Sequence, residues 1–140
     1  MKSNILEFER FKIKTHENVF SPRHDIGIYS EALKGIIKKN NKILELGTGT
    51  GAISISLAKS FNSISILATD INPYAIKVAK QNAHINKVEG IISFKKSNWF
   101  SDIPIEKYDF IVTNPPYLSK KNSIFYSSLS DPRSSLYAEN

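Results

Sequence analysis

The chain has 140 residues, 41% of them hydrophobic and 23% charged, with a formal net charge of +6. That is one domain of ordinary globular composition, long enough to bury a core. The absence of cysteine excludes disulfides and thiolate metal sites, and no apolar run approaches the roughly 18 residues that a membrane span needs.

From Phe8 to Phe20 apolar and polar residues alternate (Phe11, Lys12, Ile13, Lys14), pause at His16-Glu17-Asn18 and resume at Val19-Phe20. The pattern predicts a short β-hairpin turning at 16–18. Ser21-Pro22-Arg23-His24-Asp25 is a loop, and a helix is expected after it. Its apolar face is Tyr29, Leu33 and Ile36, with Lys34, Lys38 and Lys39 largely opposite. Lys42 to Leu46 is a short apolar run that meets glycine at Gly47. A helix with Ile53, Leu57 and Ala58 on its inner face follows, then a second apolar run, Ile64 to Thr69, ending at Asp70. Asn72 caps a further helix that opens with Pro73 and buries Ile76, Ala79 and Ala83. Strands are expected again at Ile91 to Lys95 and Tyr108 to Thr113. Strand and helix in alternation, with nearly continuous apolar strands, predict a parallel α/β sheet covered on both faces.

The segment Glu45-Leu46-Gly47-Thr48-Gly49-Thr50-Gly51 lies where a buried strand hands over to a helix. Glycine permits positive φ and lets a ligand approach the backbone, and this end of an open α/β sheet is where ligands bind. Asp70 closes the next strand about 20 residues on, where an acid can accept hydrogen bonds from ribose hydroxyls. Gly47 to Ala52 also satisfies the looser dinucleotide pattern, so the loop alone leaves a nicotinamide enzyme open. Glu45 argues against that, because dinucleotide folds keep the strand apolar before the first glycine.

Asn114-Pro115-Pro116-Tyr117 argues against it further. The tetrapeptide follows the apolar run Phe110 to Thr113, so it falls at a strand's carboxyl end beside the same crevice. Two prolines fix φ and remove two donors, leaving a stiff turn rich in acceptors. The Asn114 side-chain oxygen and the Pro115 carbonyl can both accept from one planar –NH2 group, and Tyr117 can pack on its face. Such a nitrogen is a poor nucleophile because its lone pair is delocalised. Two acceptors holding its hydrogens favour pyramidalisation and aim the lone pair at an electrophilic methyl. No metal and no covalent intermediate is required. Trp99, after the third strand of the glycine-loop unit, can stack on an adenine with Asn98 at its edge; for Phe100 a place in the core is the first expectation. His16, His24 and His84 are isolated in sequence and read as surface or turn residues.

Together these residues resemble the class I methyltransferases with an Asn-Pro-Pro-Tyr motif, and most of all the peptide chain release factor N5-glutamine methyltransferases. Ile43 to Ile53 is close to that family's glycine motif. Asp70-Ile71-Asn72-Pro73 with Ala79 and Asn82-Ala83 is similar to its second motif, and Asp109 to Tyr117 to its third. Ser21 to Asp25 and Asp131-Pro132-Arg133-Ser134-Ser135-Leu136 resemble its two flanking segments, though Ile26 and Gly27 depart from the first and Asn98 replaces a frequent Asp.

The resemblance implies a Rossmann-like α/β fold, a mostly parallel sheet with flanking helices that is incomplete at the C-terminus. Residues 1–24 would be an N-terminal hairpin and linker, and 25–140 the first part of a cytoplasmic methyltransferase domain. It implies S-adenosylmethionine as cofactor, its methionine part on Gly47, Thr48, Gly49, Thr50 and Gly51, its ribose on Asp70 and its adenine on Trp99, with Asn114 beside it. Asn114, Pro115, Pro116 and Tyr117 would hold the target amide, with Asn114, Pro115 and Tyr117 catalytic. The implied partner is a release factor bearing a Gly-Gly-Gln glutamine, and the implied outcome is its methylation in translation termination. Two alternatives stand beside it. An adenine-N6 methyltransferase would use the same acceptors on a nucleic-acid base. A truncated, inactive fragment is expected if the four strands counted here are too few to close the sheet.

Overall fold

A computed structural model describes residues 4–115. Its centre is a parallel four-stranded sheet of β3 (Lys42–Leu46), β4 (Ser65–Asp70), β5 (Ile92–Lys96) and β6 (Phe110–Thr113), in the order β5-β4-β3-β6. β3 is the first strand laid down; the chain steps outward to β4 and β5, then returns to place β6 on the other side of β3. The strand order therefore reverses between β3 and β6, and such a reversal opens a crevice at the strands' carboxyl ends.

The helices follow from local sequence. α2 (Ala52–Ser60) begins at Gly51 and buries seven consecutive residues from Ala52 to Ala58, as a helix enclosed on several sides must. α3 (Pro73–Ile85) carries Pro at its first position, and the Asn72 side chain accepts from the Tyr74 N–H at 2.9 Å, as expected from the sequence. Its buried stripe is Ala75, Val78, Ala79, Asn82 and Ala83, while Ile76 is only half-buried. The main core joins Ile43, Ile55, Leu57 and Ile66, all at most 2% exposed, with Ile13 from the N-terminal segment.

Two expectations about the N-terminal elements need correction. The hairpin exists, but it pairs β1 (Ile5–Glu7) with β2 (Lys12–Lys14) and turns at 8–11 rather than 16–18. The turn is closed by a Phe8 N–H to Phe11 carbonyl bond at 2.9 Å and by the two stacked rings, 4.7 Å between centroids. The first helix, α1 (Gly27–Leu33), stops one turn early: Gly35 sits at φ 84°, and Ile36 is exposed. His84 lies on the surface as expected, where it pairs with Glu89 at 3.1 Å.

Candidate active site

The register fixes what meets at the crevice. Leu46 is paired with Thr69 on one side and Thr113 on the other, so Gly47, Asp70 and Asn114 leave three adjacent strand ends side by side. The Thr113 hydroxyl donates to the Leu46 carbonyl at 2.9 Å, and the Tyr29 hydroxyl to the Thr113 carbonyl at 3.3 Å, tying the start of the Asn114 turn to β3 and α1.

The glycine loop is held by a hydrogen bond at almost every step. The Thr48 N–H donates to the Thr69 carbonyl at 2.8 Å, the Gly49 N–H to Asp70 Oδ2 at 2.8 Å, and the Gly51 N–H to the Thr48 carbonyl at 2.9 Å. Gly51, at φ 83°, needs its glycine twice over. The conformation disfavours any L side chain, and a Cβ there would lie 3.1 Å from the Ala79 Cβ and 3.2 Å from its Cα. Gly49, at φ 56°, is roofed by the N-terminal segment: a Cβ would meet Val19 Cγ1 at 3.9 Å.

Asp70 faces this loop with both carboxylate oxygens engaged, Oδ2 by Gly49 and Oδ1 by the Asn72 N–H at 2.9 Å. Each oxygen retains a second lone pair, so the group is fixed in orientation and still able to accept. Burial raises its pKa, and the backbone N–H groups of Asn72 and Gly49 pull in the opposite direction.

Glu45 is a feature whose role the sequence reading left unassigned. It is 0% exposed, and Oε2 accepts from the Thr48 hydroxyl at 2.8 Å and from the Ser54 hydroxyl in the first turn of α2. Oε1 is buried and, among the described residues, has no hydrogen-bond partner. Burial pushes the carboxyl up to about 7, against the pull of the Ser54 and Thr48 hydroxyls and with a further push from Asp70.

Beyond β5 the chain makes a tight turn in which Ser97 Oγ donates to the Trp99 carbonyl at 2.8 Å and accepts from the Asp102 N–H at 3.1 Å. It holds Trp99 at φ 51°, an uncommon backbone for a bulky residue, with its side chain half-exposed. Phe100 is 57% exposed, so the expectation of a core place for it fails: the turn carries both rings outward past the end of the sheet. Asn114 is exposed and Pro115 half-buried. Pro116, Tyr117 and the 131–136 segment lie outside the described residues.

A strand-order reversal between β3 and β6, a glycine loop and an acid at the end of the next strand define a Rossmann-like α/β domain. Residues 10–129 match the methyltransferase small domain family, and the chain belongs to that family, with the class I methyltransferase fold. A candidate protein N5-glutamine methyltransferase of Methanocaldococcus jannaschii is 44% identical over 114 residues, covering 81% of this chain and 55% of its own. A release factor glutamine methyltransferase of Fusobacterium nucleatum is 41% identical over 117 residues, covering 81% and 33% respectively. The chain thus spans a third to about half the length of these relatives. Among solved structures, the human Mettl16 catalytic domain in complex with an RNA hairpin superposes with a TM-score of 0.71 at 20% identity, over 93% of this chain and 51% of that one, a likeness of fold.

Proposed function

We propose that this chain carries the cofactor-binding half of an S-adenosylmethionine-dependent protein-glutamine methyltransferase, whose substrate is the glutamine of a release factor's Gly-Gly-Gln segment. The observation that carries it is the meeting of Gly47, Asp70 and Asn114 at adjacent strand ends, since a methyl donor and an amide acceptor must be bound side by side. The names of the 41–44% identical relatives supply the amide and the release factor.

In this reading Gly47 to Gly51 would hold the methionine part, with the buried Glu45 carboxyl behind the loop fixing its Thr48 end. Asp70 accepts the ribose hydroxyls, and the half-exposed Trp99 ring covers the adenine. Asn114 Oδ1 and the Pro115 carbonyl accept the two amide hydrogens, and the resemblance assigns Pro116 and Tyr117 to the same amide site. The acceptors draw the nitrogen out of conjugation as the methyl arrives, stabilisation that grows toward the transition state. S-Adenosylmethionine supplies the methyl as a sulfonium; the chain orients it and the nitrogen in line. Transfer would break the S–CH3 bond as the N–CH3 bond forms, with S-adenosylhomocysteine as the leaving group, and the proton of the cationic, strongly acidic nitrogen would pass to water, so no dedicated base is called for.

Release factor purified from cells lacking the gene tests the assignment. Mass spectrometry should find the Gly-Gly-Gln glutamine unmethylated, and restored by the gene; full methylation without it would exclude this substrate.

A further inference from the structure

α3 carries two asparagines one turn apart, Asn82 and Asn86, both buried. A buried carboxamide is costly unless its polar atoms are paired, and here they are. Asn82 Oδ1 accepts from the Lys14 N–H at 2.8 Å, and its Nδ2 donates to the Lys14 carbonyl at 2.9 Å and to the Thr50 carbonyl at 2.9 Å. Asn86 repeats the pattern on Lys12, at 2.9 and 2.7 Å, and spends its remaining hydrogen on the Asn82 carbonyl at 2.7 Å.

The fit is geometric. Four residues of helix advance about 6 Å and two residues of strand about 6.7 Å, so carboxamides at i and i+4 fall in step with alternate residues of β2. Each carboxamide stands in for a peptide group of an absent neighbouring strand. β1 takes the other edge of β2, where the Thr15 N–H donates to the Asn4 carbonyl at 2.8 Å. The hairpin is thus fastened to α3 by side chains, beside the buried Ile13.

Asn82 alone extends the fastening to a third body, Thr50 of the glycine loop. The chain leaving β2 comes back over that same loop: Val19 and Phe20 roof Gly49, and Asn72 Nδ2 donates to the Asn18 carbonyl at 2.8 Å. The loop lies between α3 and the hairpin's continuation, and the Asn82 side chain of α3 bonds both the loop, at Thr50, and the hairpin, at Lys14.

We propose that Asn82 is a positioning residue that couples the docking of the N-terminal hairpin to the shape of the glycine loop, so that hairpin placement and nucleoside binding are thermodynamically linked. The binding half of this statement rests on the cofactor reading given above; the structural half does not. Linkage is reciprocal, so a ligand that orders the loop tightens a hairpin it never touches.

Amide hydrogen exchange and calorimetric titration with S-adenosylhomocysteine test it on the wild-type chain, Asn82→Ala and Asn86→Ala. Exchange at Leu44 and Leu67 in the central sheet serves as the reference for global stability. Asn86→Ala is the decisive variant, because Asn86 spends its hydrogen bonds on Lys12 and the Asn82 carbonyl, so its loss loosens the hairpin and leaves the Asn82–Thr50 bond in place. Coupling predicts that it speeds exchange of the Gly49 and Gly51 amides relative to the sheet by about threefold or more, and weakens the nucleoside by a similar factor. Asn82→Ala, if it folds, should do both more strongly. Gly49 and Gly51 exchanging as in wild type while Lys12 alone is deprotected in Asn86→Ala would overturn the proposal. If the wild-type chain failed to bind the nucleoside, the cofactor reading would fall, and the exchange data would still decide the coupling.

Discussion

Glu45→Gln replaces a fully buried carboxyl by a carboxamide of nearly the same shape, which can still accept from Thr48 and Ser54. Its effect should depend on pH in a calculable way. Burial, opposed by those two hydroxyls and reinforced by Asp70, raises the carboxyl from 4.5 to about 7. A folded-state pKa raised above the unfolded one means that Glu45's contribution is fully present below about 4.5 and is lost as pH rises to about 7. At about 1.4 kcal/mol per unit the whole loss is on the order of 3 kcal/mol, most of it between pH 5 and 8. Glutamine has nothing to titrate and escapes it. Urea denaturation of both proteins at intervals from pH 5 to pH 8 should show the variant gaining on the wild type by roughly 2–3 kcal/mol, the titrations of groups that do not interact with Glu45 cancelling in the difference. A gap constant to within about 0.5 kcal/mol, or one that closed with rising pH, would refute the reasoning. It would mean that the unpaired oxygen is solvated or that its charge is already compensated.

Further outcomes follow from the same geometry. Gly51→Ala should cost about 2–3 kcal/mol in chemical denaturation, from its φ of 83° and the contact with Ala79, and should abolish nucleoside binding. Trp99→Gly relieves an unfavourable φ, so the melting temperature should hold or rise while S-adenosylhomocysteine binds about tenfold more weakly by calorimetry. Asp70→Ala, losing ribose acceptors and the tie to Gly49, should weaken the nucleoside by about tenfold to a hundredfold. Asn114→Ala should lower the methyl-transfer rate by about a hundredfold or more with little change in cofactor affinity, read from single-turnover assays.

The sheet was legible because its signals are strong and local: apolar strands of β3 and β4, glycines where β3 ends, and Asn72-Pro73 at a helix start. The meeting of Gly47, Asp70 and Asn114 was legible for the same reason, since each marks a strand's carboxyl end. The hairpin register was not. Alternation along Phe11 to Lys14 says that a strand is present but not which flank it pairs with, and the true turn contains neither Gly nor Pro to mark it. The end of α1 was misread because Ile36 continues the helical spacing after the backbone has turned away at Lys34. Apolar periodicity is also blind to Asn82 and Asn86, which lie on a buried face and are polar, since their partners are 68 and 74 residues distant. Glu45 was visible as an acid in an apolar strand, but its unpaired oxygen depends on tertiary enclosure that no local pattern encodes.

The central claim, a methyl donor and a planar amide bound at neighbouring strand ends, meets its most direct test in one tube. Methyl-labelled S-adenosylmethionine is incubated with this chain, purified release factor and total RNA, and the fractions are separated and counted. The account predicts label in the release factor, mapping to the glutamine of its Gly-Gly-Gln segment and lost in Asn114→Ala. Label in RNA adenine with none in the release factor would contradict it.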